Sequence, residues 1–287
     1  KQTKNFSKDQ IMVRAFKLHS EGNISAAAKY YRLFLDKGFD DPRVYSNYGI
    51  ICKKNGEIEQ AIKLFRKSIK LYPNSVQAHY NLGSTLKNIG KLEEAELFIT
   101  KAIRLDPLLA SAHYNLGSIL KSLGKLKEAE ISTRKAIELK PNYADAHHSL
   151  GVILKDIGEI EAAFLSMSKA IQINPNFTLA HLNLGRMLID QDQLEKAEIS
   201  TRKAIALDPN LATAHNNLGV ILQDLGKLEE AEISIRTAIK IRPEFAHAHS
   251  NLGGILNEIG AVKEAEISIV KAIKLKPDLA GAYLTLE

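Results

Sequence analysis

A 34-residue period runs through this chain without a slip, and no other feature narrows its possible folds as far. Glycines stand at Gly49, Gly83, Gly117, Gly151, Gly185, Gly219 and Gly253, and prolines at Pro73, Pro107, Pro141, Pro175, Pro209, Pro243 and Pro277. A third file, Ala61, Ala95, Ala129, Ala163, Ala197, Ala231 and Ala265, keeps the same step twelve residues after each glycine. No insertion or deletion interrupts these seven units. A fixed period of this length marks a repeat architecture, in which one small unit cannot bury its apolar face alone and stacks on its neighbours.

The segment Ala212–Phe245 shows what the unit is. Ala214, Leu218, Ile221, Leu222 and Leu225 recur at steps of three and four, a helical period that stops at Gly226. Leu228, Ala231, Ile235, Ala238, Ile239 and Ile241 follow with helical spacing, and Pro243 ends that second run because proline cannot continue the hydrogen-bond ladder. Each unit is therefore expected to be a helix-turn-helix hairpin. The glycine and alanine files have a packing reason, since the two helices approach closely only where neither carries a bulky side chain.

A 34-residue helical hairpin with Leu218-Gly219, Gly226, Ala231, Ala238 and Pro243 at these relative positions resembles the tetratricopeptide repeat. The likeness covers Pro42 to Leu279, with one consistent departure. Where the family usually has Trp at its fourth position, this chain has Tyr45 and then His79, His113, His147, His181, His215 and His249. The resemblance implies an all-α fold, a right-handed α-solenoid or superhelix of tandem hairpins. Its repeats fall at 42–75, 76–109, 110–143, 144–177, 178–211, 212–245 and 246–279. Residues 8–41 read as a degenerate N-terminal repeat, with Phe39 where the proline belongs. Residues 1–7 read as a linker, and 280–287 as the start of a further, truncated helix, so the natural chain is expected to continue.

With 45% hydrophobic and 25% charged residues, the chain suits a helical protein, and no apolar run approaches the roughly 20 residues of a membrane span. The single cysteine, Cys52, excludes an intramolecular disulfide framework and points to a reducing, cytoplasmic compartment. A net charge of +6 raises the question of nucleic acid, but acids and bases alternate along second helices such as KLEEAEISTRKAI, which is a solvated outer face. Nucleic acid is not an expected partner.

Catalytic patterns are absent from the sequence: there is no GxxxxGK[ST] loop, HExxH helix or CxxC pair. The histidine file is the feature nearest to a metal site. Its members sit one repeat apart, on the order of the 8 to 10 Å between packed helices, whereas ligand bonds to zinc are about 2 Å. Packing is the expected role, and neither metal nor cofactor is expected.

In tetratricopeptide arrays the first helices form a concave wall, and here its sixth position holds Asn47, Asn81, Asn115, Asn183, Asn217 and Asn251, broken only by Ser149. A carboxamide both donates and accepts, so a file of them can hold the backbone of an extended peptide whatever its side chains. The row resembles the asparagine ladder inside the long repeat superhelix of the protein O-GlcNAc transferases. Other candidate wall residues divide by charge: Lys53, Lys54, Lys87, Lys121, Tyr80 and Tyr114 come early, Asp190, Asp224 and Glu258 late, and Arg186 is a further candidate. The residues needed for the family's carboxylate clamp are missing, with Ser46, Tyr80 and Tyr114 at its opening place. The expected function is a non-enzymatic interaction scaffold binding an extended peptide or partner protein in an Asn-lined groove. The alternative is the substrate-recruiting arm of a larger glycosyltransferase, sulfotransferase or oxygenase. Head-to-tail self-association through open terminal repeats is a further expectation.

Overall fold

The computed structural model describes residues 6–279. Residues 1–5 and 280–287, the latter holding the expected truncated helix, lie outside the described residues. The chain divides into two compact units, Lys1–Ser149 and Leu150–Glu287. Among the described residues there are sixteen α-helices and no strand. The first unit contains α1 (Lys8–Ser20), α2 (Ile24–Asp36), α3 (Pro42–Lys54), α4 (Ile58–Leu71), α5 (Val76–Asn88), α6 (Leu92–Leu105), α7 (Ala110–Ser122) and α8 (Leu126–Leu139). Next in order is α9 (Ala144–Ile157), within which the division falls. The second unit continues with α10 (Ile160–Ile173), α11 (Thr178–Ile189), α12 (Leu194–Leu207), α13 (Ala212–Asp224), α14 (Leu228–Ile241), α15 (Ala246–Ile259) and α16 (Val262–Leu275).

Within each unit, consecutive helices pair as hairpins, α3 on α4 or α13 on α14, and each second helix packs on the first helix of the next hairpin, as α4 does on α5 and α14 on α15. This is an all-α helical-repeat solenoid. The turn inside a hairpin is made by a residue in the left-handed region. At Gly56, with φ +82°, the Gly56 N–H donates to the Lys53 carbonyl at 3.2 Å and the Glu57 N–H to the Cys52 carbonyl at 2.9 Å, satisfying the last carbonyls of α3. The α11–α12 turn has no glycine at this place. Asp192 adopts φ +57° there, with its N–H on the Ile189 carbonyl at 3.0 Å.

The close approach of the two helices is real at the glycine and alanine files. All seven alanines are fully buried. A Cβ built on Gly83 would stand 2.7 Å from Ile99 Cγ1, and one built on Gly49 2.6 Å from the Phe65 ring, distances that real carbon atoms do not tolerate. In the first unit the core runs through Tyr31, Phe34, Phe65, Leu82, Leu86 and Ile99. Phe39, which replaces the expected proline, packs edge-on against Phe34 with centroids 5.4 Å apart. In the second unit Leu218, Leu222, Ile235, Leu252 and Ile255 share one cluster.

The histidine file proves to be a brace. In every one of the six repeats the His Nε2 lies 2.8 to 3.0 Å from a proline carbonyl six residues earlier, as in His79 to Pro73 and His181 to Pro175. A carbonyl only accepts, so Nε2 carries the proton and the tautomer is set by this bond. Tyr45, the first member of the file, instead donates its hydroxyl to Asp40. Among the described residues no group of three His, Cys, Asp or Glu side chains could hold a metal ion.

Outer faces are laced by ion pairs between successive second helices, including Arg202 to Glu230 at 3.0 Å and Arg236 to Glu264 at 2.9 Å. Exposed pairs of this kind contribute about 0 to 1 kcal/mol each. Among the described residues no helix is long and apolar enough to cross a membrane.

Candidate functional site

In the unit Lys1–Ser149, the wall residues of α3, α5, α7 and the start of α9 converge. Lys53 on α3 donates to Ser84 Oγ on α5 at 3.1 Å, and Lys87 on α5 donates to Asn115 Oδ1 on α7 at 2.9 Å. Each lysine reaches one repeat onward, its stem half-buried. Burial lowers the pKa of both, and for Lys53 the nearby Lys87 charge lowers it further. Tyr114 packs against Tyr143 with ring centroids 5.1 Å apart, and the Lys140 ammonium sits 4.6 Å over the Tyr143 ring. Burial, then Tyr114, Tyr80 and Asp145, pushes the Tyr143 hydroxyl up to about 12. The Tyr114 hydroxyl is raised by burial, Asp145 and Tyr80. His148 belongs to the same patch: burial lowers its pKa, Asp145 raises it and Lys121 lowers it. The wall is thus an aromatic surface flanked by amines that are poorly hydrated.

The asparagine file takes several partners. Asn47 hydrogen-bonds Tyr31, whose hydroxyl also meets His19 Nδ1 at 3.0 Å. Asn81 is buried and accepts from Gln77 at 2.9 Å. Its Nδ2 is a buried donor without a partner. Asn115, as above, receives Lys87.

In the unit Leu150–Glu287 the wall is different. Asn183 and Asn217 are half-buried, and Asn251 donates to Asn216 Oδ1 at 3.0 Å, pairing the sixth position of one repeat with the fifth of the previous one. Asp190 receives Lys155 at 3.2 Å and Arg186 at 3.3 Å, so this carboxylate is already neutralised. Among the described residues no cation is paired with Asp224. Its pKa is raised by burial and by the charges of Asp192 and Glu258, and Gln223 donates to that Glu258 at 2.5 Å. Asp224, Asp192 and Glu258 make one acidic patch.

Of these, Asp145, His148 and Ser84 stand at the second, fifth and ninth positions of their repeats, and Tyr143 alone escapes a reading by repeat position. Tyr143 stands just before its helix, at a place held elsewhere by Ser75, Leu109, Phe177, Leu211 and Phe245.

Family profiles for the tetratricopeptide repeat match residues 42–75, 64–96, 110–143, 144–177 and 212–245, and a further TPR-repeat profile matches 185–226, together more than half of the chain. No curated protein matches. Among solved structures, YrrB, described as a TPR protein with an unusual peptide-binding site, is 27% identical with a TM-score of 0.53, over 64% of this chain and 95% of its own. MamA is 29% identical with a TM-score of 0.52, over 56% of this chain and 94% of its own. Cut9, in its complex with Hcn1, follows 98% of this chain with a TM-score of 0.70, but at 16% identity and over 55% of its own length it speaks for the fold alone. Period, hairpin geometry and profiles agree, and the chain belongs to the tetratricopeptide-repeat family.

Proposed function

We propose that this protein is an interaction scaffold whose first-helix walls bind extended peptide segments, the wall of Lys1–Ser149 taking an acidic segment with aromatic or apolar side chains. The observations that carry the reading are half-buried Lys53 and Lys87, each reaching one repeat onward to Ser84 and Asn115, and the Tyr114–Tyr143 pair, Tyr114 being the chain neighbour of Asn115. Aromatic rings supply contact area at low entropic cost, and ammonium groups already stripped of part of their hydration lose little more on meeting a carboxylate. Asn81, with a buried donor unpaired, and Asn115 stand ready to trade intramolecular partners for a peptide backbone. In the other unit, Asp224, Asp192 and Glu258 favour a basic segment, because a nearby cation relieves their mutual repulsion. YrrB, similar over most of its own length, adds support as a relative with a peptide-binding site. The buried Cys52 thiol, pushed up to about 11 by burial and Glu57, is unreactive and suits a reducing, cytoplasmic setting.

The test is capture from a lysate and fluorescence anisotropy with labelled acidic, neutral and basic peptides, comparing wild type with K53E/K87E and with the change of Asn81, Asn115, Asn183 and Asn217 to Ala. Acidic peptides are expected to bind wild type, to weaken as salt rises through a Debye length of about 10 Å at 0.1 M, and to lose about tenfold or more in K53E/K87E. Equal binding by folded wild type and K53E/K87E would move recognition off this wall.

A further inference from the structure

On the outer helices of the unit Leu150–Glu287 an aliphatic residue points into solvent in every repeat. Leu165, Ile199, Ile233 and Ile267 are 74%, 71%, 66% and 69% exposed, and they recur at 34 residues. The same register position in the other unit holds Leu97 and Ile131, also exposed. These residues have no part in the hairpin core. The inward side of each helix is formed by the buried residues two before and two after, such as Ala231 and Ile235 around Ile233. Two residues along a helix turn it by about 200°, so Ile233 faces directly away from them. The glutamates just before Ile199 and Ile233 are better covered than the isoleucines they precede. Glu198 and Glu232 have side chains 16% and 27% exposed and are tied to Arg202 and Arg236. The order Glu-Ile therefore places an apolar group outward where an acid would have been free of cost.

The row has charged flanks of opposite sign. One helical turn before the aliphatic residue stand Glu161, Glu195 and Glu229, and one turn after it Lys169, Lys203 and, past Thr237, Lys271. All six are exposed, and among the described residues none is in an ion pair. Four residues of helix rise about 6 Å, so the acid, apolar and basic rows run side by side at about that separation. The pattern lapses twice, with Thr237 in a basic place and Lys263 in an acidic one.

We infer that this face binds a second copy of the same chain, as a closed twofold dimer whose axis runs along the aliphatic row. That axis maps each residue across the row while keeping its repeat, so apolar meets apolar, Glu161 of one copy faces Lys169 of the other, and Glu195 faces Lys203. The alternative twofold, perpendicular to the row, sets acid on acid and base on base. A surface of one sign does not fit: an anionic bilayer would attract the lysine flank and repel the glutamate flank. Self-complementarity of this kind is what an isologous interface requires. With four aliphatic residues at its centre the contact belongs to the small, weaker class of interfaces, so the dimer forms in the micromolar range and depends on salt.

Sedimentation velocity on the intact chain, from low micromolar to high micromolar concentration, tests this. Wild type is expected to pass reversibly from monomer to dimer and to stop there. I199S/I233S, altered only at exposed positions and checked for wild-type helicity by circular dichroism, is expected to dissociate about tenfold more readily or worse. E195K and K203E are each expected to weaken the dimer, and E195K/K203E to recover it, because the swapped pair meets again across the axis. K53E/K87E, in the peptide-binding wall, is expected to leave the dimer unchanged, so failure of that wall's role and failure of this inference are separable. A wild type that stays monomeric, open oligomers indifferent to I199S/I233S, an E195K/K203E chain no better than either single change, or a monomeric chain that instead sediments with phosphatidylserine vesicles would each overturn it.

Discussion

Replacing Gly83 by Ala pits two effects of known size against each other. In mid-helix, alanine is favoured over glycine by about 1 kcal/mol, so on an open surface the change would stabilise. At Gly83 the new methyl would stand 2.7 Å from Ile99 Cγ1, 2.9 Å from its Cδ1 and 3.0 Å from the Ile99 backbone nitrogen. Ile99 is fully buried and β-branched, with a stiff χ1, and the backbone nitrogen cannot swing away. Overpacking of this kind costs about 1 to 3 kcal/mol, enough to outweigh the helix gain. Gly151 is the internal control. Its new Cβ would meet no atom closer than 3.1 Å, the nearest being the Ala163 carbonyl oxygen and the Cε at the end of the flexible Met167 side chain, so the crowding is milder and one of the two contacts yields by a rotation.

Urea denaturation followed by far-ultraviolet circular dichroism should therefore show G83A destabilised by about 1 to 2 kcal/mol and G151A within about 0.5 kcal/mol of wild type. I99A alone should cost about 2 to 5 kcal/mol, as buried truncations do. In the I99A background the two nearest atoms are gone, so G83A should cost almost nothing, and the cycle should yield a coupling of about 1 to 3 kcal/mol. If G83A stabilises the protein, or costs the same with and without Ile99, the packing explanation of the glycine file is wrong.

Three shorter tests follow from the same structure. D192G should stabilise by about 0.5 to 1 kcal/mol, because Asp192 holds φ +57° where glycine is unstrained, and a carboxyl titration by NMR should find Asp224 back toward its ordinary range once that charge is gone. H181F should cost about 1 to 3 kcal/mol in urea, since the Pro175 carbonyl loses the donor 2.9 Å away and a buried ring position receives no replacement hydrogen bond. Tyr45 and Tyr143 are both raised to about 12 from 10.0, so the folded state resists their ionisation; that stability is complete below pH 10 and is lost as pH rises toward 12. Y143F should retain more of its helicity over that interval than wild type, with tyrosinate absorbance reporting the ionisation.

Much of this fold is legible because each repeat states the same rule again. The step of 34, the apolar spacing around Leu218 and Ile235, and the glycine and proline punctuation specify two helices and their turn without any distant information. What escapes such a reading depends on where atoms meet across turns or between repeats. The spacing of the histidine file argues for packing over a shared ion, but its bond to a proline carbonyl exists only once the preceding turn has folded back. Asp192 in the left-handed region is a local exception that a file of glycines conceals, because Gln191-Asp192-Gln193 replaces the usual glycine without changing the length. Ile233 looks like one more member of an apolar helix, and only its 200° offset from Ala231 and Ile235 assigns it to solvent. The lysines of the candidate wall could be placed by position, whereas their acceptors, Ser84 and Asn115, come from neighbouring repeats.

Repetition also sorts framework from function. Positions that never vary among the full repeats, the buried alanine and the glycine that faces its helix, sit at helix-helix contacts where a bulky side chain has no room. Wall positions other than the asparagine file are free to vary, since a nearest-neighbour array draws its stability from the interfaces between hairpins and not from the tips of wall side chains. The fifth position runs Ser46, Tyr80, Tyr114, His148, Leu182, Asn216, Ser250, and the thirteenth runs Lys54, Asn88, Ser122, Asp156, Asp190, Asp224, Glu258. One sequence of side chains is unlike the next while the backbone beneath them repeats. That contrast makes the walls the place where ligand preference can be written at little cost to the fold. The outer row inverts the contrast: Leu165, Ile199, Ile233 and Ile267 repeat almost unchanged on a face where stability asks for nothing apolar. A uniform surface suits a partner that is itself periodic, and the periodic surface of matching step already present is that of a second copy.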